Sequence, residues 1–96
     1  MPTEPTALDT NGHGTHTIGT ACGPRNSQAG GYGVASEAIM YVGKVLASNG
    51  AGAESFILAG INWALGEGCQ VISLSLGGQS DVYYTRAYDN IGKLAL

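Results

Sequence analysis

The chain has 96 residues, 16 of them Gly and 12 Ala, and carries 4 Lys+Arg against 7 Asp+Glu, a formal net charge of −3. Charged residues make up 11%, against about 25% in an average soluble domain, and the four cations are scattered at Arg25, Lys44, Arg86 and Lys93, so no nucleic acid partner is expected. No apolar run reaches the roughly 18 residues of a bilayer span, so no membrane partner is expected either, and 44% hydrophobic residues in patterned runs argue against disorder.

Residues 1–11 read as an irregular lead-in, and Met1-Pro2-Thr3-Glu4-Pro5 lacks the charged-then-apolar layout of a signal peptide. A short helix is expected from about Gly14 to Ala21, stopped by Gly23-Pro24. Residues 23–33, rich in Gly, Asn and Ser, read as a loop. From Ala38 to Leu46, apolar residues occupy both parities, which suits a strand covered on both faces. Residues 48–52 form a turn.

The run from about Glu54 to Leu65 places Phe56, Ile57, Gly60, Ile61, Ala64 and Leu65 on one helical face, ended by Gly66 and Gly68. Cys69 to Leu76 reads as a second strand, ended by Gly77-Gly78. A last helix fits Asp81 to Leu96, capped by Ser80 or Asp81, with Tyr84, Ala87, Tyr88, Ile91 and Leu94 on its buried side. The order strand–helix–strand–helix implies an α/β chain with a right-handed βαβ unit, parallel strands and helices on the sheet faces. Two parallel strands are too few for a stable sheet, so partners in the same layer are needed. Cys22 and Cys69 could pair, although buried free thiols are the plainer expectation.

Chemistry concentrates in Asp9-Thr10-Asn11-Gly12-His13-Gly14-Thr15-His16. His13 stands between two glycines at the mouth of a helix, where no neighbouring side chain shields the imidazole. Such a group can act as a general base near neutral pH. A lone histidine on a helix is more often a capped or packed one. Metal binding by His13 and His16 with Cys22 and Asp9 is weakly supported, because no third ligand stands at a familiar zinc interval.

Asn11-Gly12-His13-Gly14-Thr15-His16, followed by Gly19-Thr20, resembles the histidine signature of subtilisin-like serine proteases. Further segments resemble the same family in order: Gly33-Val34-Ala35 with Lys44-Val45-Leu46, Asn49-Gly50-Ala51-Gly52, Gly60-Ile61-Asn62-Trp63-Ala64, and Val71 to Gly78. The resemblance implies that residues 12–96 are part of a peptidase domain of a partial three-layer α/β fold. It implies that His13 is the triad histidine and His16 a structural one. It places Ser75, Leu76 and Gly77, with Gly50, Ala51 and Gly52 facing them, as strands that pair with substrate backbone. Leu46, Ile57 and Leu76 match a hydrophobic subsite.

The other parts of a serine protease are missing from these 96 residues. No Asp-Ser/Thr-Gly strand precedes His13, and none of the seven serines stands in Gly-Thr-Ser-x-Ala/Ser. Asp9 matches a loop residue flanking the signature instead of the triad acid. The Ala-Ala-Gly-Asn that supplies the oxyanion asparagine is also absent. The family often binds calcium, but residues 23–33 contain no acidic side chain, so no cofactor site is carried over. The expected function is therefore an internal segment of a serine endopeptidase, inactive alone, whose partner is a peptide substrate or the rest of the protease domain. The alternative is a stand-alone relic that binds a peptide or partner and self-associates as a homo-oligomer through open sheet edges. The compartment is left open.

Overall fold

The computed structural model describes residues 7–26, 30–78 and 82–96. Three helices are present among them: α1 (His13–Cys22), α2 (Glu54–Gly66) and α3 (Val82–Ala95). None is long and apolar enough to cross a membrane.

The entry to α1 is built by a carboxylate upstream of it. A helix start leaves four amide N–H groups without partners in the helix. Gly12, the N-cap, has φ 98°, a left-handed conformation that glycine adopts without strain, and has no side chain to offer. Asp9 substitutes for it. Its Oδ1 accepts from Asn11 N at 2.9 Å and Gly12 N at 2.8 Å, and its Oδ2 accepts from Thr15 N at 2.9 Å and Thr15 Oγ1 at 2.6 Å. Thr15's hydroxyl first, then the amides of Gly12, Thr15 and Asn11, hold the Asp9 carboxyl well below the usual carboxylate range. The sequence reading of Asp9 as a mere flanking residue is thereby refined.

At its other end α1 stops where Gly23 N donates to Gly19 O at 2.8 Å and Pro24 forbids continuation. Residues 33–35 strap back over this end, with Val34 N and Ala35 N both donating to Ala21 O. The strap needs glycine at 33. A Cβ there would overlap the backbone of Gly23 and Cys22. The Tyr32 ring lies across Gly19, 3.4 Å from where its Cβ would stand.

The described core centres on α2. Ile57, Gly60 and Ala64 are buried at i, i+3 and i+7, with Phe56, Ile61 and Leu65 half-buried beside them. Segment 41–46 lies along this helix. The Tyr41 and Trp63 rings are tilted at 59° with centroids 6.3 Å apart, and Trp63 also covers Gly43. Val45 seats directly on Gly60, where a Cβ would collide with its Cγ1. The helix ends in a Schellman arrangement. Cys69 N donates to Ala64 O, Gly68 N donates to Leu65 O, and Gly68 takes φ 78°. α3 packs on α2, and Tyr88 Oη donates to Glu54 Oε2. Burial first, then that carboxylate, pushes the Tyr88 hydroxyl up to about 12.

The expected α/β architecture is not what these residues form. Among the described residues there is no strand, neither at 38–46 nor at 69–76, and so no right-handed βαβ unit with parallel strands and no three-layer sheet. The reason is physical. A strand exists through inter-strand N–H and C=O pairing, and parallel strands persist only in sheets of several members covered on both faces. Here the apolar residues meant for such cover face outward, with Ile39 85% and Val71 84% exposed. The surface of 7137 Å² exceeds the about 5,100 Å² of a folded monomer of this mass. The radius of gyration of 14.5 Å likewise exceeds the about 13 Å usual for 100 residues.

One smaller correction follows. Leu94, expected on the buried side of α3, is 70% exposed. The caps proposed at Ser80 and Asp81 lie outside the described residues, and nothing is described of the Tyr84 side chain. Cys22 and Cys69 are both free and half-buried.

The local constraints have measurable consequences. Gly33→Ala must displace the strap and should cost about 1–3 kcal/mol, by the usual cost of overpacking. Gly92→Ala, in α3 with nothing near its Cβ position, should gain up to about 1 kcal/mol from helix propensity. Urea unfolding of the two variants checks both signs. Asp9 supplies a pH dependence. Its folded pKa is lowered, so its contribution is whole above the unfolded value of about 3.9 and is lost as pH falls through the folded value. Exchange at the Gly12 and Thr15 amides should therefore rise relative to the rest of α1 as the solution is acidified below about pH 4. Asp9→Asn should flatten that response.

Candidate functional site

His13 is the first residue of α1 and is exposed. Its backbone N–H donates to Asn11 Oδ1 at 3.2 Å, while its imidazole has no hydrogen-bond partner among the described residues. The ring is free to meet an incoming group. His16, one turn on, is also exposed. Its carbonyl accepts from Thr20 Oγ1 at 3.1 Å, and its N–H closes the first helical bond to Gly12 O. No group of three His, Cys, Asp or Glu side chains that could hold a metal ion occurs among the described residues.

The turn before His13 is fastened to the loop at 47–51. Asn11 Nδ2 donates to Ser48 O at 2.8 Å, and Thr10 Oγ1 donates to Ser48 Oγ at 2.5 Å. Lys44 Nζ reaches back to Leu8 O at 2.8 Å and Ser48 Oγ at 3.4 Å. The loop closes on itself. Ala47 N donates to Ala51 O, Gly50 N donates to Ala47 O, and Ala51 N donates to Asn49 Oδ1. Gly50 has φ 84°, which an L side chain would strain.

The predicted site residues thus divide into three groups. His13 and the loop of Gly50, Ala51 and Gly52 are brought together through Asn11 and Ser48, and all three loop residues are exposed. Leu46 is half-buried, its Cδ2 against Gly52, while Ile57 is buried in the α2 core. Ser75, Leu76 and Gly77 form no strand here, and among the described residues no backbone hydrogen bond joins them to residues 50–52. Sequence reasoning did not foresee the fastening by Thr10, Asn11, Lys44 and Ser48. An Asn two residues before the histidine hints at a local turn, but no sequence signal identifies the Ser48 carbonyl as its second partner.

Comparison with known proteins identifies the family. The profile of the subtilase family matches residues 2–94. Subtilisin BL of Lederbergia lenta is 48% identical over 80 residues, which cover 83% of this chain and 29% of that protein. Subtilisin DY of Bacillus licheniformis is 49% identical over 72 residues, covering 75% of this chain and 26% of that protein. The major intracellular serine protease of Bacillus subtilis strain 168 is 48% identical over 75 residues, 77% of this chain and 23% of that protein. The chain therefore spans less than a third of the length of these relatives. No solved structure matches it. With nearly its whole length matched by the family profile, and close to half its residues identical to subtilisins, this chain belongs to the subtilase family.

Proposed function

We propose that residues 12–96 are a portion of a subtilisin-like peptidase domain in which His13 is the general base of a serine endopeptidase. In that role the imidazole takes the proton of a serine hydroxyl as it attacks a peptide carbonyl, then returns it to the leaving amine. The observation that carries the reading is the exposed, unpartnered His13 ring on a turn fastened to the 47–51 loop. Gly50, Ala51 and Gly52, and on the other side Ser75, Leu76 and Gly77, hold the substrate backbone in extended form. Leu46, Ile57 and Leu76 line a hydrophobic subsite. The serine, the orienting carboxylate and the oxyanion donors are supplied by other parts of the protease domain.

Those parts also cover the apolar side chains of Ile39, Val42, Val71 and Leu74, all exposed in this chain. The same exposed side chains favour a second reading, a stand-alone partner-binding chain that associates with itself.

The 96-residue chain alone should not cleave a chromogenic peptide. Cleavage that disappears on His13→Ala would overturn this. A hybrid in which this chain replaces the matching 80 residues of subtilisin BL should cleave it. His13→Ala in that hybrid should lower kcat by several orders of magnitude. Size-exclusion chromatography of the isolated chain should show concentration-dependent association through its apolar face. A monomer with a concentration-independent thermal transition would remove the self-associating alternative.

A further inference from the structure

We propose that Asn11 is a positioning residue that locks the His13 turn to the 47–51 loop, so that the base and the substrate-holding backbone keep one fixed relation. This rests on the reading of His13 as the general base. The amide of Asn11 has two ends and both are used. Its Oδ1 accepts from His13 N at 3.2 Å, and its Nδ2 donates to Ser48 O at 2.8 Å. The chemistry of the partners fixes the orientation of the amide. A backbone N–H requires the oxygen and a backbone carbonyl requires the NH₂.

One planar group therefore joins two elements 37 residues apart in sequence. Nδ2 also lies 4.0 Å from the Cβ position of Gly50, so the side chain sits against the loop it binds. Other side chains cannot replace it. Aspartate keeps the acceptor and lacks the donor, serine is too short to span both partners, and glutamine adds a methylene between the same two groups. Thr10 and Lys44 flank the link with their own bonds to Ser48. The loop is closed by its own hydrogen bonds, so displacement at Ser48 is passed to Gly50 and Ala51 instead of being absorbed.

The functional consequence follows from geometry. A reacting group misplaced by about 1 Å can lose on the order of 10²-fold in rate while binding is kept. Loss of the Asn11 link should therefore appear in kcat more than in KM.

Two measurements test this. In the 96-residue chain, Asn11→Asp keeps the acceptor for His13 N–H and removes the donor to Ser48 O. NMR should show the amides of residues 48–51 shifting and exchanging faster while α1 stays intact. Asn11→Ala should disturb both the loop and the first turn of α1. Unmoved 48–51 amides in Asn11→Asp would overturn the proposal. In the subtilisin BL hybrid, Asn11→Asp should lower kcat by about 10- to 100-fold with KM little changed. An unchanged kcat, or a raised KM alone, would overturn it. If His13→Ala leaves the hybrid active, the general-base reading falls by itself, and the loop response in the isolated chain still decides whether Asn11 makes the link.

Discussion

A helix start exposes amide N–H groups that its own ladder cannot satisfy, and in α1 two upstream side chains take them. Asp9 accepts from Gly12 and Thr15, and Asn11 accepts from His13. This arrangement lets a left-handed glycine serve as N-cap with no side chain of its own. It also leaves the His13 ring outside every bond that builds the helix. Negative charge on Asp9 suits this end of the helix, since the dipole there is positive. The histidine is thus presented by a rigid backbone while its side chain keeps its freedom.

The second use of the same turn is lateral. Thr10, Asn11 and Leu8 all meet the segment containing Lys44 and Ser48. Segment 41–46 is in turn held by Trp63 and Gly60 of α2. A continuous path of contacts therefore runs from the α2 core, through Val45, to the loop and the His13 turn. The helix, loop and turn support each other without a sheet. Only Ile57 and Ala64 are buried among the apolar side chains described, so this support is local and thin. The apolar side chains of Ile39, Val42, Val71 and Leu74 are exposed and add nothing to it.

The contrast between glycines shows how unevenly the chain is constrained. Gly33 meets backbone atoms and Gly60 meets Val45, while Gly66, Gly77, Gly78 and Gly92 meet nothing within 4 Å. Gly66 and Gly92 lie within helices, and Gly77 and Gly78 follow the apolar segment at 71–76. The tight glycines lie where this chain packs on itself. The open pair at 77–78 follows a segment that forms no strand.

The sequence by itself determined the helices and the family. Apolar spacing marked α2, Gly-Pro marked the end of α1, and the histidine signature marked the family, because these signals are carried by residues close together in the chain. It could not determine whether residues 38–46 and 69–76 become strands. Their apolar runs report a preference for cover, but pairing requires hydrogen-bond partners from elsewhere, and the tertiary structure supplies none among the described residues. It also could not reveal that Asn11 reaches Ser48, because a backbone carbonyl leaves no trace in side-chain pattern. Only the folding of the chain brought the histidine turn and the loop into hydrogen-bonding distance.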